Sequence, residues 1–251
     1  MAGGMFYPQD QQVQPMMARA LLLAIARHGG HARVEVGVEV RSVRRDRRDV
    51  TGVRTDAGDV ATPVVVNAAG TWAGELARRS GVDLPVLPRR GVVLVTEPLP
   101  VVVRHKVYTA DYVANVASDR AGLETSTVVE GTRSGPLLIG ASRERVGFDR
   151  RMDWRVAARL ARQAVETFPF LADVRLIRAY TGLRPYCPDH LPVIGADRRM
   201  PGLFHACGHE GAGIGLAPAT GLLLAQAVLS QEPVQPLEPF SPNRFGAEHA
   251  S

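Results

Sequence analysis

The chain has 251 residues, enough for one large domain or two small ones with a sizeable core, and its 45% apolar content is that of an ordinary globular protein. The formal charge of +5 is almost wholly arginine, with Lys106 the single lysine. Even the run Arg41, Arg44, Arg45, Arg47 and Arg48 is broken by Asp46 and Asp49, so it reads as a solvated strand face and not a nucleic-acid footprint.

Met1 to Asp10 reads as turn-like and then extended. Pro15 opens a helix whose apolar residues Met16, Met17, Ala20, Leu21, Ala24 and Ile25 recur at helical spacing, and Gly29-Gly30 stops it. Val34, Val36, Val38, Val40 and Val43 alternate as a strand series, with Gly37 a bend or bulge. Val50–Thr55 and Gly58–Ala61 form a predicted hairpin turning at Asp56-Ala57-Gly58. Pro63 to Gly70 is a continuously apolar run ending in small residues, the pattern of a strand covered on both faces. Thr71 is placed to cap a helix over Trp72 to Ser80.

From Leu84 the texture becomes β-rich. Gly91–Thr96, Tyr112–Val116, Thr125–Glu130 and Leu137–Gly140 are segments between Gly, Pro, Asp and Ser residues, as in an antiparallel sheet. Asp153 caps a predicted amphipathic helix reaching about Phe168, with Trp154, Ala157, Leu160, Ala161, Ala164 and Val165 inward. Val174–Thr181 returns as a strand. The four prolines after Glu232 make the tail irregular.

The stretch from Gly182 to Gly221 carries the chemistry. Leu191–Ile194 and Leu203–Cys207 read as short buried strands. The second runs into Gly208, Gly211, Gly213 and Gly215 and then a helical pattern from Leu216 to Leu229. A glycine-rich turn at a helix N-terminus aims unpaired backbone N–H groups at one point and lets a ligand approach without a Cβ in the way. The same glycines equally serve a tight strand-to-helix turn with no ligand. His205, Cys207 and His209 alternate, but no fourth ligand accompanies them and Gly208 interrupts the strand, so no metal is expected. Two cysteines with no pairing pattern suit a reducing compartment. With no charged-then-apolar leader and no apolar run of membrane-spanning length, the expected location is cytoplasmic.

Gly182-Leu183-Arg184-Pro185, Pro192-Val193-Ile194-Gly195, Gly208-His209, Gly213-Ile214 and Leu216-Ala217-Pro218-Ala219-Thr220-Gly221 together resemble the C-terminal signature of the flavin-dependent amine and amino-acid oxidoreductases. These include D-amino-acid oxidase, glycine oxidase and sarcosine oxidase, and the glycine-oxidase branch is the most similar. The resemblance extends from Gly3 to Phe245 and implies an α/β (α+β) fold: part of an FAD-binding domain with parallel strands, at 10–81 and 182–245, and an antiparallel-sheet substrate domain at 82–181. The family's opening Gly-x-Gly-x-x-Gly turn, which holds the FAD pyrophosphate, has no counterpart in this sequence. The expectation is therefore a C-terminal two-thirds, completed by another segment or by a separate chain that supplies the N-terminal half.

The resemblance also implies site residues. Arg184 matches the arginine that holds the substrate carboxylate, a task suited to a planar guanidinium fork. Without the motif it would be a surface arginine at a strand end. Tyr112 falls where glycine oxidase has an active-site tyrosine, and it reads equally as an ordinary strand aromatic. Gly208, His209, Glu210, Gly211, Ala212, Gly213, Ile214 and Gly215 resemble the segment lying against the isoalloxazine ring, while Val40, Ala69, Gly70 and Trp72 match further FAD contacts. Apart from the resemblance, Val40 and Trp72 would be core residues. Arg90 matches a basic residue of the interdomain strand, with an ion pair its expected role. Gly211 stands where glycine oxidase has an arginine, which suits a bulkier or cyclic amine better than glycine. Cys187 is displaced from the cysteine to which some relatives attach flavin, so the FAD is expected to be non-covalent. The implied reaction is hydride transfer from an amino acid or secondary amine to flavin N5, with an electron-transfer subunit as another expected partner. The alternative is a non-catalytic fragment or scaffold subunit that keeps the fold and binds no flavin alone.

Overall fold

A computed structural model describes residues 3–246, so the expected extended start at Met1 and Ala2 lies outside the described residues. The first helix, α1, spans Pro15–His28, with proline pre-setting φ at its first turn. It buries none of its residues, so Met16, Met17, Leu21 and Ile25 are exposed. A ribbon follows: β1 (Val40–Asp46), β2 (Asp49–Thr55) and β3 (Gly58–Ala61), paired antiparallel in that order. The strand expected from Val34 starts only at Val40. Val36 is 89% exposed and Gly37 has φ 78°, so the chain turns there instead of pairing. Arg44 pairs with Asp59, and Arg41 with Glu39, on the exposed side of this ribbon.

β4 (Val65–Asn67) is shorter than the apolar run predicted, and it is not covered on both faces: Val66 is 42% exposed. Its one hydrogen-bonded neighbour is a later strand, leaving it at the sheet edge. After it comes a 3-10 turn, Gly70–Trp72, and then α2 (Ala73–Arg79). Thr71 does not cap that helix. Its Oγ1 donates 3.0 Å to the Leu183 carbonyl, a long-range partner that wins over the local one.

β5 (Leu87–Thr96), β6 (Val107–Tyr108), α3 (Ala110–Val116), β7 (Glu124–Gly131), β8 (Leu137–Arg143), α4 (Trp154–Thr167) and β9 (Leu176–Tyr186) make the central layer. Its five-stranded sheet has the order β6-β7-β8-β5-β9 and is antiparallel throughout. The expected strand at Tyr112–Val116 is α3. Five apolar-rich residues satisfy either period, and packing against β7 together with an Asn115 Nδ2 bond to the Thr125 carbonyl decides for the helix. Asp153 does cap α4, its Oδ1 accepting from Arg155 N at 2.9 Å. Val156, Ala157, Leu160 and Ala164 face the sheet. Trp154, expected inward, is 70% exposed, although Val156 and Ala157 of the same turn are buried.

β10 (Val193–Ala196), β11 (Leu203–Cys207) and α5 (Gly213–Val228) complete the fold. β10 runs antiparallel to β11, and β11 runs parallel to β4. Among the described residues there are two separate cores. One joins Val43, Ala77, Leu84, Val86, Val193, Met200 and Leu203. The other joins Val92, Leu94, Val129, Ile139 and Leu160 beneath α4. Each fully buried aliphatic contributes about 1.5–3 kcal/mol relative to exposure.

Candidate active site

The parallel pair β4 and β11 releases both chains at the same edge of its sheet. In open α/β sheets that carboxyl edge is where ligands bind. β4 leads into Ala68-Ala69-Gly70, and β11 leads into Gly208 to Ala212 and then α5. The first of these loops is braced from below by buried polar groups. Asn67 Nδ2 donates 2.9 Å to the Ala73 carbonyl, and Asn67 Oδ1 accepts from Ala69 N at 3.3 Å. His205 Nδ1 faces the Asn67 amide at 3.4 Å, and its Nε2 lies 3.2 Å from Asp197 Oδ2. Asp197 also accepts from Arg199 Nη2 at 2.7 Å. Burial alone would raise the Asp197 pKa, but the His205 and Arg199 hydrogen bonds outweigh it and hold the carboxyl well below the usual range.

The second loop needs its glycines for different reasons. Gly208 has φ 77° and packs against Cys187, where a Cβ would lie 3.5 Å from the cysteine Cβ. At Gly215 and Gly70 a Cβ would meet nothing within 4 Å, so both open onto free space. No side chain caps α5, and its first-turn N–H groups at Gly213, Ile214 and Gly215 face outward with the positive end of the helix dipole. The helix begins at Gly213, three residues before its predicted start at Leu216. Pro218 in its second turn removes the N–H that would bond the Ile214 carbonyl. Open glycines, uncapped donors and a positive helix end fit the electron-rich edge of a planar ring system such as flavin.

Arg184 sits at the junction of the two sheets, and its chain neighbours are both fastened. The Leu183 carbonyl accepts from Thr71, next to Gly70, and the Pro185 carbonyl accepts from Glu210 N at 3.0 Å. The residues flanking Arg184 are thus bolted to the two loops at the carboxyl edge. Arg184 Nη1 donates 2.9 Å to the Ser142 carbonyl. On β5 the space its guanidinium occupies is left free by Gly91, where a Cβ would lie 2.2 Å from Arg184 Nη1. Burial first, and then the nearby Arg143, push the Arg184 pKa down to about 10, with Tyr112 opposing.

Gly91→Ala therefore tests the placement of Arg184. The displaced atom is the end of a flexible side chain, so the fold should persist while the guanidinium is pushed aside. We expect an unchanged melting temperature and an apparent affinity for a carboxylate ligand about tenfold weaker, the scale of one charge-assisted hydrogen bond. An unchanged affinity would show that Arg184 does not bind from this position.

The surrounding face is rich in paired charge. Arg89, opposite Arg184 in the β5–β9 register, is 1% exposed and pairs with Glu124 at 3.2 Å and Glu210 at 3.5 Å. Glu210, at φ 46°, also contacts His190 Nδ1 at 3.1 Å, so its side chain is committed to ion pairs while its backbone belongs to the loop. Arg90, on the opposite face of β5, pairs with Glu144 at 2.7 Å, the structural role expected of it. Tyr112 projects from α3 over Arg143, whose Cζ is 4.7 Å from the ring centroid.

Of the residues predicted from the sequence, Arg184, Tyr112, Ala69, Gly70 and the Gly208–Gly215 loop converge on this junction. Trp72, at the end of the same 3-10 turn, stacks at 6.0 Å on Phe148 and is half exposed. Val40 stands apart, at the start of the ribbon, which packs on α2. His209 Nε2 lies 3.0 Å from Thr220 Oγ1, and burial lowers its pKa. His205, Cys207 and His209 thus go to different surroundings: the Asp197 network, an apolar core and α5. Cys187 and Cys207 are free and buried, and burial pushes both thiols up to about 12. Sequence reasoning missed Gly91, Ser142, Arg143 and the partners of Arg89, because their roles arise only when distant strands are brought together.

A family profile described as "DAO: FAD dependent oxidoreductase" matches residues 1–227. The chain belongs to this family. The family is FAD-dependent. A hydrogen cyanide synthase subunit HcnC from Pseudomonas aeruginosa is 34% identical over 99% of the chain and 56% of its own length. Glycine oxidase from Geobacillus kaustophilus is 34% identical over 97% of the chain and 60% of its length. The crystal structure of glycine oxidase from Geobacillus kaustophilus superposes with a TM-score of 0.78 at 30% identity, covering 90% of the chain and 57% of that structure. The chain thus spans between half and two-thirds of the relatives it matches. Its mixed fold, with a parallel pair and an antiparallel sheet, is that of the family's FAD oxidases.

Proposed function

We propose that this chain carries the substrate-binding and isoalloxazine-facing part of an oxidoreductase that oxidises an amino acid or a related secondary amine. The observation that carries the reading is the pair of carbonyl ties flanking Arg184, from Thr71 to Leu183 and from Glu210 to Pro185. They couple the one strong candidate for a carboxylate ligand to both loops that would hold the cofactor. Bound flavin supplies the hydride acceptor. The chain's own residues orient and bind. Arg184 fixes the carboxylate, and the Tyr112 phenol adds a hydrogen bond to it. Gly70 and Gly215 admit close approach, and the first turn of α5 favours negative charge on the ring. The buried Asp197–His205–Asn67 relay keeps the Ala69–Gly70 loop in place without touching a ligand.

Two cores support a division into a cofactor side (10–81 with 182–245) and a substrate side (82–181), except that Val82, Leu84 and Val86 join the cofactor-side core and so argue for a boundary after them. Exposed Val64 and Val66 beside the open edge of β4, and exposed Leu216 and Leu222 on α5, suit packing against a further segment bearing the diphosphate-binding turn. The description of the HcnC relative as a subunit supports a partner chain as one source of that segment. Two free buried thiols support a cytoplasmic setting. Among the described residues, no helix is long and apolar enough to cross a membrane.

The test is anaerobic addition of amino acids and secondary amines to the chain assembled with such a segment and FAD. Bleaching of the flavin band by carboxylate-bearing amines, and not by their decarboxylated analogues, is the expected result. Bleaching by both alike would remove Arg184 from the account, and bleaching by neither would remove the oxidoreductase reading.

A further inference from the structure

Arg143 is a buried cation with no ion pair among the described residues. It is 4% exposed, its Nε has no hydrogen-bond partner, and no described carboxylate forms an ion pair with it. Burying an unpaired guanidinium is unfavourable by several kcal/mol, so a site that keeps one normally receives an anion. The sheet register shows where that anion would sit. The Arg90–Glu144 bridge sets Arg143 beside Gly91, on the face that also carries Arg89 and Arg184. Arg184 Nη1 reaches into the space above Gly91 and bonds the Ser142 carbonyl, the peptide group shared with Arg143. Tyr112 lies over Arg143 from α3, its ring centroid 4.7 Å from the guanidinium carbon. Burial depresses the pKa of both Arg143 and Arg184, Arg89 adds to this as a like charge on each, and Arg143 does the same to Arg184.

Charge arithmetic names the guest. Three guanidiniums, Arg89, Arg143 and Arg184, face two carboxylates, Glu124 and Glu210, and both carboxylates are taken by Arg89. The cluster is short of one negative charge at the place where Arg143 and Arg184 meet.

We infer that Arg143 is a second ligand for the substrate carboxylate, closing with Arg184 and Tyr112 on a single carboxylate group. This deepens the proposed function and rests on its assignment of Arg184. The substrate class is then a monocarboxylate amine.

The test uses the chain itself and needs no flavin. Thermal melts in sodium acetate are compared with sodium chloride at equal ionic strength, and with acetamide as the neutral isostere. Acetate should raise the melting temperature of the wild type where chloride and acetamide do not, and Arg143→Met should weaken the apparent acetate affinity at least about tenfold. Without acetate, Arg143→Met should melt at or above the wild type, because an uncompensated buried charge is gone and the volume is kept. Arg143→Lys, which keeps charge but not the fork, should respond partly. An acetate response in Arg143→Met equal to the wild type, with Arg184→Gln abolishing it, would overturn the Arg143 assignment and leave Arg184 standing. No acetate response in the wild type would overturn both carboxylate assignments. The flavin bleaching experiment decides the oxidoreductase reading separately.

Discussion

Arg184→Ala is expected to raise KM for a carboxylate-bearing substrate by at least about tenfold, and by up to about a hundredfold if the pair is fully desolvated when substrate binds. The lower figure is what one charge-assisted hydrogen bond contributes. The upper figure follows because the lost partner is a fork held rigidly: its backbone is tied at Leu183 and Pro185, and Nη1 is fixed on the Ser142 carbonyl. Stability should change little or rise. In the free chain Arg184 has no ion pair among the described residues, and burial together with Arg143 already destabilises its charged form. A merely structural Arg184 would behave in the opposite way, with a lower melting temperature and an unchanged KM. Arg184→Lys should recover only part of the loss, since an ammonium binds one oxygen where the fork binds two.

Asp197→Ala is expected to have the largest effect on stability, a loss of about 3–5 kcal/mol, which is the usual result of removing one partner from a buried ionic network. Against a total stability of about 5–15 kcal/mol for a typical domain, that would leave the chain marginal. Asp197 and His205 are both fully buried, and without the carboxylate the His205 Nε2 faces no acceptor. The damage should spread to the Ala69–Gly70 loop through Asn67, which His205 braces. Asp197→Asn, keeping the shape, should lose less. The same group sets an acid limit. Its folded pKa is depressed, so its contribution is fully present above the unfolded value and is lost as pH falls through the folded one, beginning below about pH 4. Urea unfolding of wild type and variants at neutral and acid pH measures both. A loss under about 1 kcal/mol at neutral pH would show that the network is incidental.

What could be read from the sequence was what lies contiguous in it. The strand Leu203–Cys207 and the helix after the glycines form a single run, so local pattern predicted both, the helix starting three residues earlier than expected. Asp153 followed by an apolar period of 3.6 predicted α4 and its cap correctly. Local pattern failed where a long-range partner decided the outcome. Thr71 is a good cap by type, yet its hydroxyl goes to Leu183. Tyr112 to Val116 is rich in β-forming residues, yet packing on β7 makes it a helix. Trp154 was placed inward by its phase, yet at the first position of α4 it is 70% exposed. Arg184 was a candidate from its motif. Arg143, Gly91 and Glu124 were not, because they come from β8, β5 and β7, and only the sheet register makes them neighbours. No periodicity marks a glycine whose purpose is to leave room for an arginine on another strand.

The central claim is that the carboxyl edge of β4 and β11 forms half of a flavin site. The visible spectrum of the purified chain with FAD, after removal of free cofactor, tests it most directly, first alone and then with a segment bearing the Gly-x-Gly-x-x-Gly turn. The account predicts a shifted flavin band near about 450 nm, roughly where any oxidised flavin absorbs, retained with protein only once that segment is present. It also predicts that Gly215→Val, which puts a branched side chain into the open space at the α5 N-terminus, abolishes retention without unfolding the chain. No retained flavin in either arrangement, or retention indifferent to Gly215→Val, would contradict it.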